Sequence, residues 1–418
     1  MAPDACFAHR WARLAVTTKV AARVAELAAR DRFGRLVGYL AQRFGTLSEA
    51  EDALSQALLS ALEQWPVEGI PNNPSAWLLT VARRRITDAM RRNRTRDQAQ
   101  AHLETLAEER ADLVVEAPDF PDDRLKLMVA CTHPAIARSV QAPLILQVVL
   151  GFDAQTISSV FLVSPTAMGQ RLARAKRKIR ASGIRVDVDG VDLSEERAAG
   201  VLDAIYTCFT AGWIDGGTKW RSEAQWLGRL VCRARPDDAE ALGLAALMRF
   251  IDARRDARLV EGHYIPLDAQ DSRAWYHDEI DEADLLLARA SRLKRPGRFQ
   301  IEAAIQSVHG ARRRTGRTDW AAIGRLYDAL MQVAPSVGGA VSRSAAWLMA
   351  GHRDAAQAQL DALEPQDVKA YQPYWAVAAE VAKRSGDQAR AQACYDRAIG
   401  LSVDPAERAY LVSQQKKM

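Results

Sequence analysis

A chain of 418 residues with 48% apolar residues is long enough for two to four domains with real cores, which excludes a disordered or fibrous protein. The net charge of +5 is modest for that length, so the placement of charge informs more than its total. Five scattered cysteines form no Cys-x-x-Cys pair and no run of about eighteen apolar residues occurs, which argues against a disulfide framework, a zinc or other metal site, export or a membrane span, and for a reducing, cytoplasmic setting.

Helix-forming residues dominate, and strand-like alternation and hairpin punctuation are nearly absent, Asp215-Gly216-Gly217 being the main exception, so the expected fold is all-α. Residues 1–19 read as a tail. From Val20 a helical pattern runs to Phe44, breaks at Gly45-Thr46 and resumes, with Ser48 and Glu51 spaced as a capping box, up to Trp65, where Pro66 is expected to end the helix. Residues 66–74 hold three prolines and two asparagines, a loop signature.

The helix that follows is led by Trp77. Leu78, Val81, Ala82, Ile86, Ala89 and Met90 recur at three- and four-residue spacings, so one face buries while Arg83, Arg84 and Arg91 point outward. Residues 83–96 hold seven arginines against Asp88 alone. Residues 97–123 reverse the sign with nine acids against Arg110, and Pro118 and Pro121 near the end mark a linker over 98–123. Residues 171–185 are basic again, with seven Lys or Arg and no acid. A plain solvated basic face and a surface for nucleic acid both fit one such helix; two of them flanking an acidic tether favour nucleic acid.

Three short helical segments are expected over 124–132, 135–150 and 154–162, the last capped by Asp153. Val163-Ser164-Pro165-Thr166 then forms a turn: Ser164 caps the next helix and Pro165 suits its first turn. Helix, tight turn and basic helix in this order read as a helix-turn-helix, with an αα-hairpin as the plainer reading. After residue 187 the chain becomes Ala-rich with mixed charge. Tyr327, Leu360 and Tyr395 lie 33 and 35 residues apart, near the 34-residue period of tetratricopeptide helix pairs, and Trp375, Gly386, Ala391, Tyr395 and Ala398 fit the last unit best. The lone His133, His263 and His277 and the Asp215 turn read as structural, and no His-Glu-x-x-His, Gly-rich phosphate loop or Gly-x-Ser-x-Gly marks an enzyme or a cofactor.

With both basic helices in place, the first 186 residues resemble the extracytoplasmic-function sigma factors of the sigma-70 superfamily. The resemblance rests on Glu51-Asp52-Ala53-Leu54-Ser55 through Leu58, Leu59 and Trp65, on Trp77-Leu78, Ala82-Arg83, Asp88 and Arg91-Arg92, and on Arg171-Leu172-Ala173-Arg174-Ala175. Ser55 stands where the family usually has Gln, Arg84 where it often has Asn, and Ala167 and Gly169 where Thr and Lys are usual. The remainder resembles a subgroup with a long C-terminal helical extension, through Gly297-Arg298-Phe299-Gln300, Ala303-Ala304-Ile305-Gln306 and Thr318-Asp319-Trp320.

The resemblance implies a region 2 domain over 20–97, a region 4 helix-turn-helix domain over 124–186, a helical extension over 187–296 and tetratricopeptide-like repeats over 297–418. It implies core RNA polymerase and promoter DNA as partners, with a regulatory protein or peptide at the repeats. Asp52, Leu54, Ser55, Leu58 and Leu59 would bind polymerase. Asn72, Asn73, Ser75, Trp77, Arg83, Arg84, Arg91 and Arg92 would hold the melted −10 strand. Thr166, Gln170, Arg171, Arg174, Lys176 and Lys178 would meet the duplex −35 element. The alternative is a helix-turn-helix regulator with a helical-repeat interaction domain that never touches polymerase.

Overall fold

The computed structural model describes Val20, Val24 and residues 33–41, 43–44, 47–97, 124–161, 163–182, 193–214 and 218–418. The expected tail, the acidic linker and the Asp215 turn lie outside the described residues. The fold is all-α apart from one small hairpin. Two compact units divide the chain, Met1–Trp220 and Arg221–Met418.

In the first unit, α1 (Leu47–Glu68) and α2 (Pro74–Asp97) pack along each other. Leu54, Ala57 and Ala61 of α1 and Leu78, Ala82 and Ile86 of α2 are buried, as their three- and four-residue spacing requires. Trp65 meets Trp77 edge-to-face at 5.4 Å, and Arg85 Nη2 donates to Ser60 Oγ at 2.9 Å. Three local expectations are corrected. Pro66 does not end α1 but sits in its last turn. The helix closes at Gly69, whose φ of +95° suits glycine and whose N–H donates to Trp65 O at 3.1 Å. Ser48 lies inside the first turn of α1 rather than ahead of it, and the Glu51 carboxylate accepts from a distant lysine. Ala89, expected on the apolar stripe of α2, is exposed.

Four further helices follow: α3 (Arg124–Cys131), α4 (Arg138–Val148), α5 (Ala154–Val160) and α6 (Pro165–Ala181). Asp153 Oδ1 accepts from Thr156 N–H at 2.7 Å and starts α5; Ser164 Oγ accepts from Ala167 N–H at 3.3 Å and starts α6, with Pro165 at its first position. The unit does not stop near residue 186. Helix α7 (Glu195–Ile214) packs on α4, and Arg138 ties the two by an ion pair to Asp203 at 2.6 Å and a bond to Glu196 O at 3.2 Å. Gly200 of α7 makes this approach possible, since a Cβ there would fall 2.7 Å from both Arg138 Nη1 and Gln141 Oε1.

The second unit starts within α8 (Thr218–Ala234) and continues through α9 (Ala239–Asp252), the hairpin β1 (Leu259–Val260) and β2 (His263–Tyr264), α10 (His277–Arg292) and α11 (Arg298–Gly310). Glu240 fixes α9 against α11 by capping its start: Oε2 accepts from Phe299 N–H and Oε1 from Gln300 N–H, each at 3.0 Å. The hairpin is the departure from pure helix. Glu261 and Gly262, at φ +50° and +79°, supply the two left-handed residues of its turn. Helices α12 (Trp320–Val333) and α13 (Val337–Met349) pair, as do α15 (Gln372–Arg384) and α16 (Gln388–Leu401), with α14 (Arg353–Asp361) between the pairs in sequence and α17 (Pro405–Gln415) last. Leu360, Tyr395 and Ala398 share one core cluster with Val341 and Ala379, Ala391 is buried, and Gly386, at φ +79°, makes the turn between α15 and α16.

Candidate nucleic-acid interface

Helix α6 is divided lengthwise by its sequence. Met168, Leu172, Ala175 and Ile179, spaced four, three and four, are buried. Thr166, Gln170, Arg171, Arg174 and Lys178 lie exposed on the other side with Arg177. Arg174 Nε donates to Gln170 O at 3.3 Å, leaving the guanidinium at the surface. Gly169 borders open space, so no neighbouring backbone requires a glycine there. Lys176 is the exception among the residues expected to face duplex DNA. Its Nζ donates to Glu51 Oε1 of α1 at 2.8 Å, with side chains 30% and 13% exposed.

On α1, the structure separates residues that the sequence grouped. Leu54 is wholly buried and belongs to the core, which corrects its placement as a surface anchor; Leu58 is half-buried, while Asp52, Ser55 and Leu59 face outward. Leu62, one turn beyond Leu59, is exposed as well and was missed because an apolar residue at helical spacing reads first as core. Two leucines at 52% and 43% exposure on one helix make an apolar strip with Asp52 and Ser55 at its upper end.

Ahead of α2, Asn72 and Asn73 are exposed, and Asn73 Oδ1 accepts from Ala76 N–H at 3.1 Å. That oxygen caps the helix, which leaves the amide NH2 of Asn73 outside the cap. Ser75 is buried, a correction to its reading as a base contact. Trp77 is half-buried against Trp65 and so keeps part of its surface open. Arg84 is exposed and Arg83 half-buried; the side chains of Arg91 and Arg92 lie outside the described residues.

Cys131 and Cys208 are shielded from reaction. Burial pushes the thiol of Cys131 far above its usual range, with the Glu51 carboxylate adding to the rise and Lys176 opposing it, and burial does the same to Cys208. His133 Nδ1 accepts from Ala135 N–H at 3.1 Å, and a ring nitrogen of His277 lies 3.0 Å from Ser272 O, both local turn contacts. Among the described residues no group of His, Cys, Asp or Glu converges for a metal ion, and no helix is long and apolar enough to cross a membrane.

Residues 30–96, the stretch that contains α1, α2 and the Asn72 loop between them, match the family model of sigma-70 region 2. Over this stretch the chain is similar to the sigma-70 family. Residues 197–291, from α7 to α10, match a second model, a family of unknown function (DUF6596). An uncharacterized protein, R00370, of Rhizobium meliloti (strain 1021) is 34% identical over 394 residues, covering 90% of this chain and 92% of its own length. That similarity runs along both compact units, not over the region 2 stretch alone. No solved structure shows a significant match to the chain.

Proposed function

We propose that the protein is a sigma factor of the extracytoplasmic-function type that binds core RNA polymerase, directs it to promoters in the cytoplasm and starts transcription. The observation that carries this reading is the sigma-70 region 2 match, which falls on a helix pair that has both an exposed apolar strip and an arginine face. Asp52, Ser55, Leu58, Leu59 and Leu62 dock on polymerase. Asn72 and the amide of Asn73, with the open part of Trp77, receive an unstacked base, since an amide pairs with a base edge and an indole face stacks on it. Arg83, Arg84, Arg91 and Arg92 hold the phosphates on either side.

Helix α6 acts as the recognition helix of a region 4. Thr166, Gln170 and Arg171 reach base edges, and Arg174, Lys176 and Lys178 position the duplex through its phosphates. The protein's work is recognition rather than catalysis, with no cofactor in it. The helix pairs from α12 to α16 act as tetratricopeptide-like repeats that dock a regulatory protein or peptide. The test is transcription from fragmented genomic DNA by purified core polymerase with and without the full chain. New discrete start sites are the expected result. Their absence, together with no binding to core polymerase, would overturn the reading in favour of a helix-turn-helix regulator that works without polymerase.

A further inference from the structure

Within the second unit, Arg254 follows the end of α9 and is only 9% exposed. Its Nη2 donates to Gln306 Oε1 of α11 at 2.5 Å, while Nη1, sealed from solvent, has no hydrogen-bond partner among the described residues. Arginine is rarely buried without a carboxylate to offset its charge. Here burial, and then the like charge of Arg312, pull Arg254 down to about 10, and no carboxylate opposes them. Both guanidinium groups lie against the ring of the buried Trp275, Cζ standing 6.0 Å from its centroid in Arg254 and 4.8 Å in Arg312. His309, three residues beyond Gln306 on α11, is buried close enough to feel both positive charges. Arg312, half-buried just past α11, also fastens the stretch 265–275 that covers the cluster. Its Nη1 donates to Asp268 O at 2.7 Å and its Nη2 to Gln270 O at 2.5 Å, and Trp275 Nε1 donates to Gln270 Oε1 at 3.2 Å.

We propose that Arg254 and Arg312 bind a phosphate group beneath the stretch 265–275, either as the free ion or as part of a small phosphomonoester. A phosphate fits this cluster better than a carboxylate on two counts. It brings close to two negative charges to two guanidinium groups, and its tetrahedral oxygens accept from donors in different directions, where those of a carboxylate share one plane. A water molecule would pair with Nη1 but would leave both charges uncompensated. Because Nη1 is sealed, entry requires local opening of the covering stretch, so exchange is slow and a bound phosphate travels with the chain through purification. Every residue of the site belongs to the second unit, which makes it independent of the nucleic-acid reading of the first.

The test uses the full chain and three single variants. Arg254→Met removes the buried charge, Arg312→Gln removes the half-buried one without opening the core, and Arg314→Gln repeats the charge change at an exposed neighbour outside the cluster. Phosphate released on acid denaturation measures what the purified chain carries. Thermal unfolding in inorganic phosphate, against potassium chloride of equal ionic strength, measures what it takes up. The parent and Arg314→Gln should release phosphate or be stabilised by it to saturation. Arg254→Met and Arg312→Gln should bind it at least about tenfold more weakly. Methionine in place of an unpaired buried charge does not weaken the fold, so Arg254→Met should melt no lower than the parent in chloride. Glycerol phosphate in place of the inorganic ion separates the two sources: stronger stabilisation assigns the site to an ester, equal stabilisation to the free ion. No released phosphate, and no stabilisation by either compound beyond that of chloride, would overturn the site. A phosphate response that is the same in Arg254→Met and Arg312→Gln as in the parent would overturn it as well.

Discussion

Leu54 and Leu59 lie five residues apart on α1, and substituting each by alanine separates packing from docking. Leu54 is 0% exposed and Leu59 is 52% exposed. Truncating a fully buried leucine removes its transfer energy and leaves a cavity, a cost of roughly 3 kcal/mol. With a urea slope of about 2 kcal/mol per molar, the unfolding midpoint of the first unit should drop by about 1.5 M in Leu54→Ala. Leu59 has already left half its surface in water, and Leu59→Ala should move that midpoint by less than about 0.5 kcal/mol equivalent. At a docked interface the order reverses. An apolar anchor that becomes desolvated on polymerase accounts for about 1.4 kcal/mol or more, so Leu59→Ala should weaken core polymerase binding at least about tenfold. Urea unfolding followed by circular dichroism and titration of labelled protein with core polymerase measure both quantities. If Leu59→Ala, folded as the parent is, binds polymerase equally well, the exposed strip of α1 is not the docking face.

Further predictions concern the second unit and the basic helix. Burial lowers the His309 imidazole to about 3, with Arg254 and Arg312 adding to the shift, so the ring stays neutral in the fold and gains a proton when the chain unfolds. Its contribution is complete above pH 6.5 and is lost as pH falls toward the folded value, by up to about 1.4 kcal/mol per pH unit; thermal unfolding of His309→Phe should show a shallower acid limb than the parent. Glycine 243 is packed so that a Cβ would fall 2.6 Å from Gln300 N and 2.8 Å from its Cα, both backbone atoms of α11. Gly243→Ala should therefore destabilise the second unit by about 2 kcal/mol in urea unfolding despite alanine's better helix propensity. If about six phosphates are neutralised, duplex affinity should fall with salt on a log–log slope of roughly −5, and Arg174→Gln should reduce that slope by about 0.9; an unchanged slope would remove Arg174 from the phosphate contacts.

Helix spacing carried most of the fold into the sequence. The buried and exposed sides of α6 follow from Met168, Leu172, Ala175 and Ile179, and the starts of α5 and α6 from Asp153 and Ser164, because caps and amphipathic faces are set by neighbours three or four residues away. The Gly386 turn and the burial of Tyr395 in the last helix pair are equally local in origin. Spacing alone does not tell which of two leucines on one helix meets the core, and so Leu54, expected at the surface, is buried, while the exposed Leu62 was not singled out. Asn73 was read for its amide without the cap that occupies its oxygen, and Ser75 without its burial.

What tertiary structure alone decided lies between residues far apart in the chain. The pairing of Glu51 with Lys176 across 125 positions, the approach of Gly34 to Val149, the packing of α7 against α4 through Arg138 and Asp203, and the capping of α11 by Glu240 leave no local periodic signal. Each depends on which helix faces become neighbours when the core closes. A glycine within a helix, a glutamate in a first turn and a lysine in a basic run acquire their roles only from the partner that packing brings to them.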